Sequence, residues 1–553
     1  MRAAAASLAG SASRPIVVAN RPLTTESTVQ IPAERARRWV DAPWTSRPRV
    51  GLGLIVASVL ITIGVAALGP SSVTLNVGPA SGLLPPWFIG TDAGARLGLP
   101  ASEWLVVPAL WIGILLGAVG LWVAFRAAEA GWRPPIHRMF YAGVILNLAT
   151  AFVPPLTSAD VLMYAAYGRL QRLGMSPYDI TPAEVFRQAF DPVLVWTERP
   201  WQDTPSVYGP IASLSQWLAN VLGGDSMHDV VFWLQLMSVL PFIVICAVLI
   251  KLAHDDAGRQ TRAVLFTIWN PLLIWAVVAG AHNEALTLVF AICGLYFVRR
   301  SAFVTGLFIG LAGAVKVSLV FYGIAMVWGY RHDRRKLLAL VGGAVLPLAL
   351  AYGVFAPQAL FAASRNTGYI SQGSWGLPVV FVLQVVLGEE LARSVVTKLG
   401  WVLLVVIAWM LSRVLPWEPV PGSRVPARDD PLTITVRTAL VLCTAWVVTS
   451  PYSLPWYDLI AWAPLALMAA NRVDRLLIWR GAALSVAYVT ARSVQFGPEM
   501  QWASWVLREN VGSIVALGVL FWIVRWWWIS GRELPDRAFF ARGWERLARP
   551  GHG

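Results

Sequence analysis

Residues 50–68 read VGLGLIVASVLITIGVAAL, an unbroken apolar stretch without a charged side chain. A helix of this length crosses the hydrocarbon core of a bilayer, which is about 30 Å thick. The stretch is preceded by a group of arginines: Arg35, Arg37, Arg38, Arg47 and Arg49. Because basic flanks stay on the cytoplasmic side, the segment predicts a transmembrane helix with a cytoplasmic N-terminus.

Apolar blocks of similar length recur along the chain, which has 553 residues and is 57% hydrophobic and only 13% charged. This composition is too apolar for the surface of a soluble globule, so a soluble enzyme is excluded. The formal charge of +14 comes from short basic clusters between the blocks, which indicate topology and not a nucleic-acid partner. We predict an all-α polytopic protein of the plasma membrane with about 12 to 14 spans.

The basic clusters divide the chain into three parts. Residues 1–49 are predicted to form a disordered basic cytoplasmic tail, residues 50–530 the transmembrane domain, and residues 531–553 a basic cytoplasmic C-terminal tail. The longest non-spanning stretch, residues 154–227, is expected to be an ordered extracytoplasmic loop bearing amphipathic helices. Cys246, Cys293 and Cys443 lie inside apolar blocks, so neither a disulfide framework nor a metal site is predicted.

The stretch TSADVLMYAAYGRLQRLG, residues 157–174, opens this loop. Its apolar residues recur at helical spacing and Gly174 provides a stop, which predicts an amphipathic helix on the membrane surface. Asp160 falls in the first turn, where a carboxylate would meet the headgroup of a lipid-linked substrate. Two interpretations stay open, because Thr157 and Asp160 could equally form a capping box that serves only the helix.

Lys316 is a lone cation within the long apolar stretch 301–330. A single crossing would reverse the charge rule for the basic residues that follow, so we predict two short helices that turn near Lys316 at the outer face. An unpaired charge in a membrane costs at least about 2.5 to 3.5 kcal/mol unless an anion or water meets it. A substrate phosphate would offset that cost, and snorkelling to the interface is the structural alternative.

Other polar and aromatic residues fall on the same predicted face. His282-Asn283-Glu284 follows a span and could recognise sugar hydroxyls, although Asn283 could simply cap the next helix. Arg365 and Arg492 are candidate anion binders or, alternatively, surface arginines. The turns at Tyr208 and at Trp456-Tyr457 bring aromatic rings to the boundary, where Trp456 could stack on a sugar or belong to the interfacial aromatic belt.

A series of short strings occurs in one order between residues 154 and 462. They are Ser158-x-Asp160-Val161-x-x-Tyr164-x-x-x-Gly168, Gly174-x-x-Pro177-Tyr178, Tyr208-Gly209-Pro210, Asn270-Pro271-Leu272, Gly280-x-His282-Asn283-Glu284, Ala314-Val315-Lys316 and Leu454-Pro455-Trp456-Tyr457. In this order they resemble the actinobacterial polyprenol-phosphomannose-dependent α-1,6-mannopyranosyltransferases, the MptA/MptB family, over more than half of the chain. The chain departs from the family pattern at Ala159, where an arginine is expected beside the acid.

The resemblance implies a GT-C glycosyltransferase with an extracytoplasmic active site. It implies a polyprenyl-phosphate-mannose donor, a lipid-anchored mannan acceptor, and extension of the α-1,6-mannan backbone of lipomannan and lipoarabinomannan. An α-linkage formed from a β-linked donor requires single-displacement inversion, in which a base activates the acceptor hydroxyl. Asp160 is the expected base, and Lys316 with Arg365 or Arg492 would bind the donor phosphate.

The remaining site residues implied by the resemblance would contact the sugar or the acceptor: His282, Asn283, Glu284, Tyr164, Tyr208, Trp456 and Tyr457. A donor with one phosphoryl group requires no metal for charge balance, and no cofactor is expected. Two alternatives remain. One is a GT-C transferase of another sugar, such as arabinose, and the other is a lipid-linked sugar flippase or transporter, for which internal repeats would be typical.

Overall fold

The computed structural model describes residues 43–81, 93–199, 201–362, 368–492 and 495–530. Within these ranges the regular structure is helical, and the β contacts amount to one isolated antiparallel bridge between Thr74 and Leu156. The predicted all-α polytopic class is therefore confirmed. Of the two predicted tails, residues 1–42 and 531–553 lie outside the described residues.

The described ranges form the following helices in chain order: α1 (Pro48–Ala67), α2 (Ala93–Leu97), α3 (Glu103–Glu129), α4 (Ile136–Ala151), α5 (Asp160–Arg172), α6 (Pro182–Gln188), α7 (Pro210–Gly223), α8 (Met227–Leu252), α9 (Ala257–Phe266), α10 (Pro271–Leu273), α11 (Glu284–Phe297), α12 (Ala302–Val315), α13 (Val320–Gly329), α14 (Arg334–Leu348), α15 (Ala359–Ala362), α16 (Gly376–Leu387), α17 (Glu389–Val414), α18 (Pro431–Thr449), α19 (Leu459–Leu467), α20 (Arg472–Tyr488), α21 (Pro498–Ser504) and α22 (Gly512–Ser530).

Two other kinds of helical turn interrupt this series. Wider π-helical turns extend α10, α14 and α21, at Ile274–Ala279, Ala349–Phe355 and Trp505–Val511. Tighter 3-10 turns stand at Trp44–Ser46, Leu194–Trp196, Trp201–Asp203, Val317–Leu319 and Pro455–Asp458. Single π-helical turns are frequent at functional sites, and the one at Ile274–Ala279 leads directly into the site described below.

Eight helical stretches in the described chain are long and apolar enough to cross a membrane: Pro48–Ala67, Glu103–Glu129, Met227–Leu252, Ala257–Ala279, Arg334–Phe355, Glu389–Val414, Pro431–Thr449 and Pro498–Ser530. Shorter apolar helices accompany them: Glu284–Phe297, Ala302–Val315, Val317–Gly329 and Gly376–Leu387. The predicted 12 to 14 spans outnumber these eight long stretches, because some predicted spans correspond to the short helices. The 14 residues of α12 rise only about 21 Å, less than the thickness of the hydrocarbon core.

The stretch Ala257–Ala279 forms the centre of the bundle, because its apolar window is buried throughout. Its first turns carry Arg262, which is paired with Asp474 at 2.7 Å. In the middle, the side chain of Asn270 accepts a hydrogen bond from the backbone N–H of Leu272 at 3.1 Å and so restarts the helix at Pro271. At its far end, the stretch delivers the chain to His282.

The helix after Thr157 is not the predicted amphipathic helix on the membrane surface. It forms as α5, but every residue from Val161 to Leu170 is buried, and the helix packs against α7 and α8. Arg169, the source of its polar appearance, is buried in an ion pair with Asp191 at 2.8 Å. Because the charge is paired inside the protein, α5 becomes a core element.

Candidate active site

The segment that leads into α5 is tied to the end of the central stretch. The backbone N–H of Leu156 donates to the carbonyl of Ala279 at 2.9 Å, and that of Thr157 donates to the carbonyl of Val73 at 2.8 Å. From the other side, the N–H of Leu75 donates to the carbonyl of Pro155 at 3.0 Å. These bonds fix the start of α5 beside the loop that carries His282.

Both loops contain a residue in the left-handed backbone conformation that is not glycine. Thr157 has a φ of 70° and Ala281 has a φ of 52°. For residues with a Cβ this conformation costs about 1 to 3 kcal/mol and persists only where surrounding contacts enforce it. Each residue lies just before a polar group of the site, Asp160 in one loop and His282 in the other.

Asp160 is the first residue of α5, and the capping-box interpretation of it is wrong. The hydroxyl of Thr157 donates to the carbonyl of Leu156 at 2.6 Å, and α5 has no side-chain cap. The backbone N–H of Asp160 instead donates to the hydroxyl of Ser158 at 3.2 Å. Since no helix terminus uses it, the carboxylate of Asp160 is available for chemistry. Ala159, the departure from the family pattern, stands at the N-cap position.

A cavity of about 290 Å³ opens in front of Asp160, close to the lower limit for small-molecule sites. Five of the predicted site residues line it: Asp160, Tyr208, Lys316, Trp456 and Tyr457. Most of the remaining lining is apolar or aromatic, including Trp401 and Leu404 from α17 and Trp446 from α18. The cavity therefore combines two charged side chains, Asp160 and Lys316, with a largely apolar and aromatic wall.

Lys316 stands where the predicted break occurs. Helix α12 ends at Val315, Lys316 is extended, and a 3-10 turn begins at Val317, so the prediction of two short helices around Lys316 is confirmed. The ammonium is not unpaired, however, because its Nζ lies 2.5 Å from Oε1 of Glu284. It also lies 4.8 Å from the ring centre of Tyr457, within cation–π range.

Glu284 contributes to the cavity through Lys316 and does not line it. Its side chain is 5% exposed, and while Oε1 binds Lys316, Oε2 is buried without a hydrogen-bond partner. A buried carboxylate oxygen without a partner is costly, so it is a position that a hydroxyl donor would satisfy.

His282 is fully buried and rigidly held beside Asp160. Its Nδ1 lies 2.7 Å from the carbonyl oxygen of Ala276, and its ring stacks on Trp456 with centres 3.6 Å apart and an angle of 18° between planes. Its Nε2 has no hydrogen-bond partner and lies 3.6 Å from Oδ2 of Asp160. His282 therefore faces the carboxylate and not the cavity.

Burial shifts the pKa values of these two groups in opposite directions. Burial, helped by the nearby Glu284 carboxylate, raises the pKa of Asp160 from 3.8 to about 6, while Lys316 and the Ser158 hydroxyl act against the rise. Burial lowers the pKa of His282 to about 3. At neutral pH the pair is therefore a carboxylate facing a neutral imidazole, and a proton-accepting base is in its active form.

Asn283 and Tyr164 lie behind the cavity wall. Asn283 is the N-cap residue of α11, but its side chain makes no capping hydrogen bond, so that interpretation is wrong. Both of its amide atoms are buried without partners, and they border a void of about 10 Å³ shared with Tyr164. The ring of Tyr164 supports Tyr208 edge-on, with centres 5.1 Å apart.

The two arginines do not join Lys316. The guanidinium of Arg492 donates from Nε to Glu198 at 2.9 Å and from Nη1 to the carbonyls of Ser71 and Ser72. It does not line the cavity and is occupied by these contacts. Arg365 lies outside the described residues. Among the residues that the structure describes, Lys316 is therefore the cation that borders the cavity.

Trp456 is 2% exposed, so it does not belong to an interfacial belt. The 3-10 turn that carries Trp456 ends at Asp458, which forms a buried ion pair with Arg480. Sequence reasoning missed several further lining residues, among them Tyr167, Trp201 and Tyr452. The spacing of Tyr164 and Tyr167 on one helix could have indicated a shared face, but nothing singles out Trp201 among 29 tryptophans.

Known proteins resemble the chain along much of its length. Residues 50–331 match the family described as alpha-(1->6)-mannopyranosyltransferase, N-terminal domain. Alpha-(1->6)-mannopyranosyltransferase A of Corynebacterium glutamicum is 26% identical over 249 residues, which is 42% of this chain and 49% of that protein. The chain thus spans about half of that relative. No solved structure matches the chain.

Two further relatives match over longer stretches. Alpha-(1->6)-mannopyranosyltransferase A of Mycobacterium tuberculosis is 27% identical over 400 residues, covering 68% of this chain and 73% of that protein. Alpha-(1->6)-mannopyranosyltransferase B of Corynebacterium glutamicum is 26% identical over 431 residues, covering 68% of each. Both alignments cover more of the chain than the match to the N-terminal domain does.

Proposed function

The chain belongs to the alpha-(1->6)-mannopyranosyltransferase family, and from this premise we propose that it transfers mannose from polyprenyl-phosphate-mannose to an α-1,6-linked mannan. The acceptor would be the lipid-anchored mannan backbone of lipomannan and lipoarabinomannan. One observation carries the proposal: a carboxylate, Asp160, and a cation, Lys316, border the same largely apolar cavity. A base and a phosphate partner are what transfer from a lipid phosphate requires.

The proposed reaction is a single displacement with inversion. Oδ of Asp160 removes the proton from the O6 hydroxyl of the acceptor mannose, and O6 forms the new bond to C1 of the donor mannose. The bond between C1 and the phosphate oxygen breaks, and its electron pair leaves with the polyprenyl phosphate. Lys316 stabilises the charge that develops on that phosphate, so each described charge in the cavity has one task.

Glu284 shapes this site through its contact with Lys316. Its Oε1 lies 2.5 Å from the Lys316 ammonium and so pairs that charge inside a largely apolar wall. Tyr208 and Tyr457 line the cavity, and burial raises the pKa of Tyr208, so its phenol remains a hydrogen-bond donor.

The apolar part of the cavity suits the lipid of the donor. Gly400, Trp401 and Leu404 of α17 line the cavity, and Trp401 is nevertheless 61% exposed on the outside of the bundle. The 3-10 turn after Lys316 also reaches both sides, because Val317 lines the cavity and is 62% exposed. We propose that the isoprenoid chain leaves the cavity between α17 and this turn and continues into the surrounding membrane.

The extracytoplasmic location of the site is also a proposal. Its support is the central stretch Ala257–Ala279, which carries Arg259 and Arg262 in its first turns and ends beside the cavity. Because clustered arginines favour the cytoplasmic side, the opposite end of a span of about 35 Å would face outward.

Product analysis with purified protein in lipid nanodiscs tests the function. The protein is given polyprenyl-phosphate-mannose, GDP-mannose or polyprenyl-phosphate-arabinose, each with a short α-1,6-linked manno-oligosaccharide. We expect extension by one mannose in α-1,6 linkage from the lipid donor alone. Transfer from GDP-mannose, preferred transfer of arabinose, or a different linkage would contradict the proposal.

A further inference from the structure

The side chain of His282 has a fixed tautomer. Its Nδ1 faces the carbonyl oxygen of Ala276 at 2.7 Å, and a carbonyl can only accept a hydrogen bond, so Nδ1 carries the proton. In the neutral ring, Nε2 is then a bare acceptor. Rotation that would exchange the two nitrogens is blocked, because the ring is stacked on Trp456 and is 0% exposed.

The bare nitrogen has one neighbour of functional interest. Oδ2 of Asp160 lies 3.6 Å away, and Nε2 has no hydrogen-bond partner. A carboxylate oxygen and a bare imidazole nitrogen are both acceptors, so they repel each other while no proton lies between them. A single proton on Oδ2, directed at Nε2, would convert this repulsion into a hydrogen bond.

Building on the proposed function, we infer that His282 is a positioning residue that accepts a hydrogen bond from Asp160 once Asp160 has taken the proton of the acceptor hydroxyl. The proton that leaves O6 becomes bonded to Oδ2 and is shared with Nε2. His282 thereby increases the proton affinity of the base without touching the sugar. This role differs from the sugar contact expected from the sequence.

The surroundings of Asp160 contain other groups that influence its titration. Glu284 approaches from α11, Lys316 approaches from the break between α12 and α13, and phenols approach from several elements: Tyr164, Tyr167, Tyr208, Tyr452, Tyr457 and Tyr488. Among the described residues, His282 has the ring nitrogen that lies within 4 Å of the Asp160 carboxylate. Its removal is therefore expected to alter the basicity of Asp160 in a defined direction.

The first test compares the pH profiles of kcat/KM for wild type, His282→Phe and His282→Gln. Phe keeps the stacking on Trp456 but removes the acceptor, so we expect the acidic limb to move down by about one pH unit, a tenfold loss of proton affinity. We expect kcat to fall with the donor KM unchanged, and Gln, whose amide oxygen can accept, to restore part of the loss. His332→Gln, at an exposed position, is the control.

An acidic limb that stays in place or moves upward in His282→Phe would overturn the inference. The proposed function is judged separately, because wild-type transfer and its loss in Asp160→Asn do not depend on His282. If wild type transfers mannose while the limb of His282→Phe does not move, only the inference fails. A wild type that transfers no mannose overturns the proposed function itself.

A second measurement avoids dependence on the folding of the Phe variant. The chain has six histidines, so the ¹⁵N-histidine NMR spectrum of wild type in nanodiscs can be assigned with His282→Gln. We expect Nδ1 of His282 to be protonated and the Nε2 resonance to shift as Asp160 titrates, but not to shift in Asp160→Asn. A protonated Nε2 at neutral pH, or an Nε2 resonance indifferent to Asp160, would overturn the inference.

Discussion

The Nζ atom of Lys316 lies 2.5 Å from Oε1 of Glu284, in the wall of a cavity that Asp160 also borders. The two partners are separated by 32 positions in the chain: Glu284 begins α11, and Lys316 stands in the break after α12. The pair is nearly neutral as a unit, yet 20% of the lysine side chain remains exposed toward the cavity. Lys316 can therefore contact an incoming phosphate while it stays paired with Glu284.

Replacement of Lys316 should separate folding from donor binding. In Lys316→Gln, the buried Glu284 loses its partner, which costs about 3 to 5 kcal/mol of stability. The double variant Lys316→Gln/Glu284→Gln removes both charges and should recover most of that stability. In both variants we expect the KM for polyprenyl-phosphate-mannose to rise at least about tenfold, a loss of about 1.4 kcal/mol.

The measurements are thermal unfolding in detergent and initial rates at several donor concentrations. Lys336→Gln is a matched control, because Lys336 is 55% exposed and pairs with Asp333 outside the cavity. An unchanged donor KM in the stable double variant would count against phosphate binding by Lys316.

The rate of transfer should depend on the ionisation of Asp160. A base acts in its deprotonated form, and burial together with Glu284 raises the pKa of Asp160 to about 6. We expect kcat/KM to be level above about pH 7 and to fall about tenfold for each unit below about pH 6. Initial rates between about pH 4.5 and 8.5 give the profile. A limb near the ordinary aspartate value would show that burial does not control the base.

The same shift predicts that the ionised carboxylate of Asp160 lowers the stability of the folded protein. The pKa of Asp160 in the folded protein is raised from 3.8 to about 6, so the folded state binds the proton more tightly than the unfolded chain. This stabilisation is full below the ordinary value and is lost as the pH rises through about 6. Asp160→Asn carries no charge and should therefore be more stable than wild type at about pH 8, by about 2 to 3 kcal/mol at most.

Thermal unfolding of the two proteins at a series of pH values measures this difference. The gain of Asp160→Asn should shrink as the pH falls and vanish near pH 4, where wild-type Asp160 is protonated. Asp179→Asn, at an exposed position on the chain just after α5, should show no such trend. A variant that is less stable than wild type at about pH 8 would contradict the shifted pKa.

Trp401 provides a test of the path taken by the donor lipid. Its ring lines the cavity and is 61% exposed on α17. Trp401→Ala should raise the KM for a long-chain polyprenyl-phosphate-mannose several-fold and leave the KM for a donor truncated to one or two isoprene units unchanged. Trp502→Ala is the control, because Trp502 is 66% exposed and does not line the cavity. Equal effects on both donors would contradict this path.

The sequence predicted features that depend on local patterns. The apolar blocks gave the helical membrane fold, and the charge rule gave the break at Lys316. The start of a helix after Thr157 was also predictable, as was the proximity of Asp160 to the loop at His282 through their shared face. These predictions depend on patterns among residues that are close together in the sequence, namely apolar periodicity and the placement of basic residues.

Three of the failures share a physical cause, which is pairing between charges that are apart in the sequence. Arg169 makes α5 look amphipathic, but Asp191 neutralises it and the helix is buried. Arg492 looks like a free anion binder, but Glu198, 294 positions away, occupies its guanidinium. Lys316 looks unpaired in the sequence, but it forms an ion pair with Glu284. A single sequence does not reveal such partners, because the contact exists only after the helices assemble.

The most direct test of the proposed mechanism is mannose transfer by Asp160→Asn. Purified wild type, Asp160→Asn and the control Asp179→Asn are compared in nanodiscs with labelled polyprenyl-phosphate-mannose and an α-1,6-linked manno-oligosaccharide. We predict that Asp160→Asn binds the donor normally and loses about 10²- to 10⁴-fold in kcat, while Asp179→Asn retains wild-type activity. Transfer by Asp160→Asn at the wild-type rate would contradict the assignment of Asp160 as the base, and with it the central claim.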